Sequence, residues 1–206
     1  MDKKIDSDFW YRDLPFTGLE VTGYRNFAHN LSDGIGPSLL KDNFIVDFTK
    51  NDPLDYWDKY NIFTFHNDQM YDLLQHIKPL VLKACNELGI DYDKQKYHIH
   101  GWIDIYNGEF NDTNINNLNW YEESTQKNVF SGMFMFEAED SFNYYLKNGE
   151  ILEVENVAGR LHVFTNHKWF HGKWTDSYPK RIFGFNIYPI ALLPNIEDFV
   201  ARYIPL

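Results

Sequence analysis

Residues 164–190 read FTNHKWFHGKWTDSYPKRIFGFNIYPI, two aromatic runs separated by the turn-forming TDSYP. Short runs of aromatic and β-branched residues bounded by turn signals read as strands. Side chains alternate along a strand, so Trp169, His171 and Lys173 share one face and Phe170 faces away. In the second run Arg181, Phe183 and Phe185 share a face, with Ile182, Gly184 and Asn186 on the other. Histidine is the usual strand-borne ligand for a divalent metal, and arginine is the usual grip on a carboxylate. If the two strands belong to one sheet, His171 and Arg181 line one cavity, and a buried arginine there needs an anionic partner.

Upstream of this stretch the same alternation recurs in YHIHGWIDIY (97–106), VFSGMFMFEA (129–138), FNYYLKNGEILEVE (142–155) and GRLHVFT (159–165). YNGEF and KNGE supply turns, and the asparagine-rich FNDTNINNLNW (110–120) reads as a loop. Strands at these intervals predict a mostly β unit of the sandwich, barrel or jelly-roll kind. A helix is predicted over 68–88, because Met70, Leu73, Leu74, Ile77, Val81, Ala84 and Leu88 recur at helical spacing between a capping Asn67 and a stopping Gly89. Pro79 inside it is expected to kink or divide it. Residues 1–66 read as irregular structure with short strands at LEVTGY (19–24), NFIVDF (43–48) and NIFTFH (61–66), a turn-rich NLSDGIGPS (30–38), and no long helix.

At 206 residues the chain suits a single domain. It divides into a helical and irregular portion over 1–96, a β unit over 97–190 and a C-terminal extension over 191–206. Nineteen Lys and Arg against thirty Asp and Glu give a net charge of −11, which argues against direct binding to a nucleic-acid backbone. Cys85 is the only cysteine, so an intrachain disulfide and a four-thiolate metal site are excluded and a reducing cytoplasm is expected. No run of eighteen apolar residues occurs, so no membrane partner is expected.

A histidine on one late strand, an arginine ten residues on and a closing FN resemble the C-terminal half of the Fe(II)- and 2-oxoglutarate-dependent oxygenases. The resemblance is to their prolyl-hydroxylase-like branch, which includes small bacteriophage-type oxygenases. GWIDIYNGEF is similar to that family's Trp-x-Asn-x-Tyr strand and glycine turn, and FSGMFMF to its Ser-Gly-x-x-Tyr strand, with Phe134 near the tyrosine position. The match spans roughly residues 97–190, with the 68–88 helix in the place of the family's supporting helix. The resemblance implies a double-stranded β-helix with Fe(II) as metal and 2-oxoglutarate as co-substrate, and it admits ascorbate beside them. It makes His171 the distal iron ligand, Arg181 the residue for the far carboxylate of 2-oxoglutarate, and Tyr106 a further co-substrate contact. The substrate it leaves open is a protein or a small molecule, and a phage origin would place the chain in a host cytoplasm.

The family pattern departs at the proximal ligands. Where a His-x-Asp, His-x-Glu or His-x-His is expected, the chain has LNWYEEST, which puts Tyr121 at the histidine position and Glu123 at the carboxylate position. The implied metal set is then Tyr121, Glu123 and His171, with Glu123 and His171 as the catalytic pair. Neutral imidazole suits ferrous iron, whereas a phenol of pKa about 10 must first lose its proton, and phenolate favours the ferric state.

His98 and His100 share a strand face with Trp102 and Asp104, a spacing suited to two ligands but read as satisfied strand histidines. His162 is placed to enter the cavity and His167 at a turn, while His29, His66 and His76 lack an evident acidic partner. The cupin alternative raised by HIH fails because the glutamate expected at Asp104 or Ile105 comes only at Glu109. No phosphate loop, nucleophile elbow or zinc helix is present. Two functions follow: a 2-oxoglutarate-dependent hydroxylase, or a degenerate double-stranded β-helix kept as a binding or structural module.

Overall fold

The computed structural model describes residues 2–40, 61–65, 67–106, 129–137, 142–171, 180–192 and 204–206. Ten strands occur among them: β1 (Lys3–Asp6), β2 (Phe9–Asp13), β3 (Tyr97–Tyr106), β4 (Phe130–Met135), β5 (Phe142–Lys147), β6 (Glu150–Glu155), β7 (Arg160–Phe164), β8 (Lys168–His171), β9 (Lys180–Pro189) and β10 (Ile204–Pro205). The helices are α1 (Gly18–Leu40), α2 (Asp68–Leu88) and the one-turn α3 (Tyr92–Gln95). The strands form a seven-stranded sheet in the order β1-β2-β7-β4-β9-β3-β10 and a three-stranded sheet in the order β6-β5-β8. This is a mostly β, jelly-roll architecture, as the strand pattern predicts.

Two apolar layers hold it together. Phe9, Met133, Met135, Phe164 and Ile182 of the large sheet pack against Tyr145 and Val154 of the small one. The opposite face of the large sheet, with Phe130, Phe134, Leu161, Val163, Phe183, Phe185 and Ile187, packs against Tyr24, Ala28 and Leu31 of α1 and Met70, Leu73, Ile77 and Val81 of α2. Each such side chain contributes on the order of 1.5–3 kcal/mol by leaving water. β4 and β9, central in the large sheet, are therefore buried on both faces, which is why they read as nearly continuous apolar runs rather than as clean alternation.

α2 begins and ends where the sequence indicates. The side-chain oxygen of Asn67 accepts from the N–H groups of Gln69 and Met70, and Gly89 takes φ 69°, the left-handed stop. The helix is not divided at Pro79. The β5–β6 hairpin turns on Asn148 and Gly149 at φ 52° and 83°, the primed turn that matches strand twist.

The N-terminal region corrects the sequence reading. LEVTGY and NLSDGIGPS lie within the 23-residue α1 rather than in a strand and a turn. Thr17 and Glu20 form a capping box: the Thr17 N–H donates to the Glu20 carboxylate at 2.6 Å, and the Glu20 N–H faces the Thr17 hydroxyl at 3.4 Å. Val21, Tyr24, Ala28 and Leu31 then supply a helical stripe that the intervening Gly and Thr obscure. KKID and FWYRD, unassigned from sequence, become β1 and β2 and extend the large sheet beyond β7. NIFTFH supplies a single 3-10 turn over Ile62–Thr64, and NFIVDF lies outside the described residues.

Gly132 sits where a Cβ would meet the Phe185 ring at 2.3 Å and the His162 carbonyl at 2.4 Å. The carbonyl is backbone and cannot step aside. Gly132→Ala is expected to destabilise the chain by about 1–3 kcal/mol or more, read from urea unfolding, while Gly18→Ala, with open space around it, leaves the unfolding free energy within about 0.5 kcal/mol of the parent or raises it.

Candidate functional site

Cross-strand register sorts the residues that face the small sheet from those that face the helices. Residues directly opposite each other in an antiparallel pair share a face. His162 pairs with Met133, Met133 with Gly184, and Gly184 with Trp102, so these four form one transverse row. Met133 packs against Tyr145 of the small sheet, which fixes this as the inter-sheet face. One pleat toward one end come Phe164, Ser131, Asn186 and His100, and one pleat toward the other come Arg160, Met135, Ile182 and Asp104. The next pair in that second direction is Lys180 with Tyr106.

The small sheet covers this face in a defined direction. Lys147, at the end of β5, donates to Asp6 at 2.9 Å and pairs with Asp8 at 2.8 Å, which ties that end to the β1–β2 turn beside Phe9. Tyr145 lies over His162 and Met133. Continuing back along β5, Asn143 therefore comes toward the level of Met135 and Ile182. Its partner across the ladder is His171 of β8, and Trp169 of the same strand face pairs with Tyr145. The position of His171 thus belongs to the inter-sheet face, at the end where Lys180 and Tyr106 pair.

Arg181 stands on the other face. β8 and β9 lie in different sheets, so the expected shared strand face does not form. Arg181 follows the parity of Phe183 and Phe185, whose rings pack against α1 and the 3-10 turn: Phe183 meets Tyr24 and Phe27, and Phe185 meets Phe63. Its Nη1 is 3.1 Å from Nε2 of His29 in α1, and only 8 % of the residue is exposed. Its backbone N–H donates to Glu137 at 2.6 Å. The alternation read from sequence is right, but which face is the cavity face could not be read without the register. Lys180, one residue earlier, holds the inter-sheet position.

Tyr121 and Glu123 lie outside the described residues, as does His66. Among the described residues no group of three or more His, Cys, Asp and Glu is arranged to hold a metal ion. His98 places Nδ1 3.0 Å from the Lys96 carbonyl, and His100 stacks beside Trp102 with centroids 6.1 Å apart. His167 sits at the β7–β8 turn, its Nδ1 2.8 Å from the Thr165 carbonyl, and burial holds its pKa below the ordinary value. His29 and His76 do have acidic neighbours, Glu137 at 3.2 Å and Asp72 at 3.8 Å. The first partner is 108 residues away and has no local signal, whereas Asp72 and His76 are an i,i+4 pair that the predicted helix already brings together.

His162 enters the inter-sheet space, as its parity allows. It is fully buried, with Nδ1 2.8 Å from the Tyr145 hydroxyl, which also stands 3.3 Å from the Met133 sulfur. The arrangement that leaves no buried proton without an acceptor has Nδ1–H donating to the hydroxyl and the hydroxyl donating to sulfur. Nε2, which has no hydrogen-bond partner, then carries a lone pair, less costly to strand than an N–H. Burial, with the Arg160 charge adding to it and Asp13 opposing, pushes its pKa down to about 3.

No family model matches the chain, and no curated protein matches it. Solved structures do. A Pseudomonas putida prolyl-4-hydroxylase superposes with a TM-score of 0.54 at 12% identity, covering 88% of each chain. A non-heme monooxygenase, ThoJ, in complex with nickel superposes with a TM-score of 0.57 at 10% identity, covering 89% of this chain and 74% of its own. At such identity the likeness is one of fold: the chain has an oxygenase-like, jelly-roll β architecture.

His162 yields a pH dependence whose sign follows from its environment. Below the ordinary histidine pKa of about 6.5 the unfolded chain takes up a proton that the folded chain refuses until about pH 3, so stability falls as pH falls through that window. The loss is on the order of several kcal/mol at its acid limit. In His162→Leu the unfolding free energy, measured by urea titration from pH 7 to pH 4, is expected to fall less steeply than in the parent.

Proposed function

We propose that the chain is an Fe(II)- and 2-oxoglutarate-dependent oxygenase that hydroxylates a substrate still to be identified, and that its carboxylate-gripping residue is Lys180 rather than Arg181. The observation that carries the second half is the parity of β9, in which Ile182 packs between the sheets and Phe183 packs on α1. Lys180 shares the register parity of Ile182, and its position pairs with that of Tyr106 in the β3–β9 ladder. A lysine ammonium and a tyrosine hydroxyl are groups that suit the far carboxylate of a dicarboxylate, one for the charge and one as a further donor.

The donor set suits the metal in part. His171 and Glu123 are an imidazole and a carboxylate, which ferrous iron accepts, and Tyr121 stands as the third ligand of the proposed set. Bound there, iron and 2-oxoglutarate would supply dioxygen-dependent oxidation of a substrate C–H bond. The chain's own contribution is to hold the co-substrate through Lys180 and Tyr106 and to keep water from beneath it with Met135 and Ile182, both fully buried. The phenol at position 121 favours a second reading, a binding module of the same fold with weak iron affinity, because fold alone does not fix function.

Anaerobic titration with ferrous iron and 2-oxoglutarate separates the two. A visible metal-to-ligand charge-transfer band supports the oxygenase, and a flat spectrum at saturating concentrations favours the module. Lys180→Ala is expected to weaken 2-oxoglutarate binding by more than tenfold, since a charge-assisted contact is worth about 1.5–3 kcal/mol, with little change in melting temperature. Arg181→Ala is expected to do the reverse, leaving the affinity within about threefold and lowering the melting temperature. Tyr121→His is expected to raise ferrous iron affinity, read by competition with a chromogenic chelator, and unchanged affinity would remove residue 121 from the metal.

A further inference from the structure

We infer that the inter-sheet face over β3 and β9 holds a binding site for an uncharged amide, whose carbonyl oxygen accepts the indole N–H of Trp102. That the amide belongs to a small-molecule substrate rests on the oxygenase reading above. Trp102 pairs with Gly184 in the β3–β9 ladder, one row from the pair His100 and Asn186. Gly184 has no side chain, so the indole lies against β9: a Cβ there would meet its Cε2, Cζ2 and Nε1 at 2.7–2.8 Å. The nitrogen-bearing edge of the ring therefore sits over β9, beside the Asn186 row. His100 stacks next to the indole, with centroids 6.1 Å apart and 29° between the planes, so the ring is held from two directions.

Trp102 is only 6% exposed, and among the described residues its Nε1–H meets no acceptor. A buried indole N–H ordinarily finds a partner, because leaving it unmade forfeits the hydrogen bond it had to water. His162, on the same row, strands a lone pair, which costs less; Trp102 strands a proton. The surroundings say which acceptor fits. On β3, β9 and β4 the two rows hold Trp102, Gly184 and Met133, then His100, Asn186 and Ser131, with no Asp, Glu, Lys or Arg among them. The Ser131 hydroxyl donates to the Asn186 side-chain oxygen at 2.8 Å, so the floor beside the indole is polar and ordered. A carboxylate brought there would lose its water with no cation on these rows to offset it. A neutral carbonyl takes the N–H at a far smaller desolvation cost, and the amide is the strongest acceptor among neutral carbonyls.

The test uses the full chain, uniformly labelled with heavy nitrogen for NMR, without iron or 2-oxoglutarate. The Trp102 indole resonance is the one missing in Trp102→Phe, and if that variant does not fold, through-space contacts to the Gly184 Hα protons identify it instead. N-methylacetamide is expected to move this resonance downfield in a saturable titration, while acetate at equal concentration leaves it in place. In Trp102→Phe the affinity for N-methylacetamide, read from the Gly184 and Asn186 backbone amides, is expected to fall about fivefold, the loss of one neutral hydrogen bond. An indole resonance that N-methylacetamide does not move overturns the inference. An equal or larger movement with acetate overturns it too, since the acceptor is then an anion, and so does an unchanged affinity in Trp102→Phe, which leaves the indole a purely structural role. A flat charge-transfer spectrum in the iron titration overturns the oxygenase reading and not the amide site, because neither metal nor co-substrate takes part in this measurement.

Discussion

The two-residue period of β9 is the constraint on which the rest of the molecule depends. β9 lies between β4 and β3 with ladders on both sides, so it cannot slip by one residue without breaking both sets of pairs. A slip would carry Phe183 and Phe185 into the inter-sheet space and Ile182 out of it. The helix layer would lose the rings that Tyr24, Phe27 and Phe63 pack against. Register is therefore enforced by burial on both faces at once, and the placement of Lys180 and Arg181 on opposite sides follows from it as a by-product of core packing.

Gly184 and Gly132 show how tightly that register is closed. A Cβ at Gly184 would meet the Trp102 indole at 2.7 Å, on the inter-sheet face, and a Cβ at Gly132 would meet Phe185 on the helix face. Each glycine lets an aromatic ring from the neighbouring strand lie flat on the sheet. With the ring in place, the strand next to it can sit in only one register. The same economy explains His162: a row that already holds Trp102 and Met133 leaves an imidazole no water, and so it is kept neutral by burial rather than by a salt bridge.

The strands from residue 97 onward and the helix α2 were legible because each has a strong period and local punctuation. Asn67 and Gly89 act within a few residues, and the Asn148–Gly149 turn needs nothing beyond its own backbone. α1 was not legible, since Gly23 and the later glycines interrupt a stripe that becomes visible only once Phe134 and Phe183 are there to receive it. β1 and β2 were missed for a different reason: β2 finds its partner β7 some 150 residues away, β1 pairs with β2, and four- or five-residue strands carry little pattern of their own. For the candidate site, the strands carrying His171 and Arg181 and the alternation along each were legible, but which parity faced the small sheet was not, because that depends on the cross-strand register.

That ambiguity has a physical source. A strand buried on both faces offers two apolar environments, and the sequence alone does not say which one a cation at its end meets. The register turns Arg181 to the helix side, where it meets His29 of α1, with the Glu137 carboxylate bridging to Arg25 close by, and a planar guanidinium is suited to such a crowded polar edge. Lysine, a point charge on a flexible stem, matches that edge poorly. Alternation along β9 puts positions 180 and 181 on opposite faces, so a Lys180→Arg, Arg181→Lys double variant leaves a lysine facing His29, and a melting temperature below the parent's is the expected result.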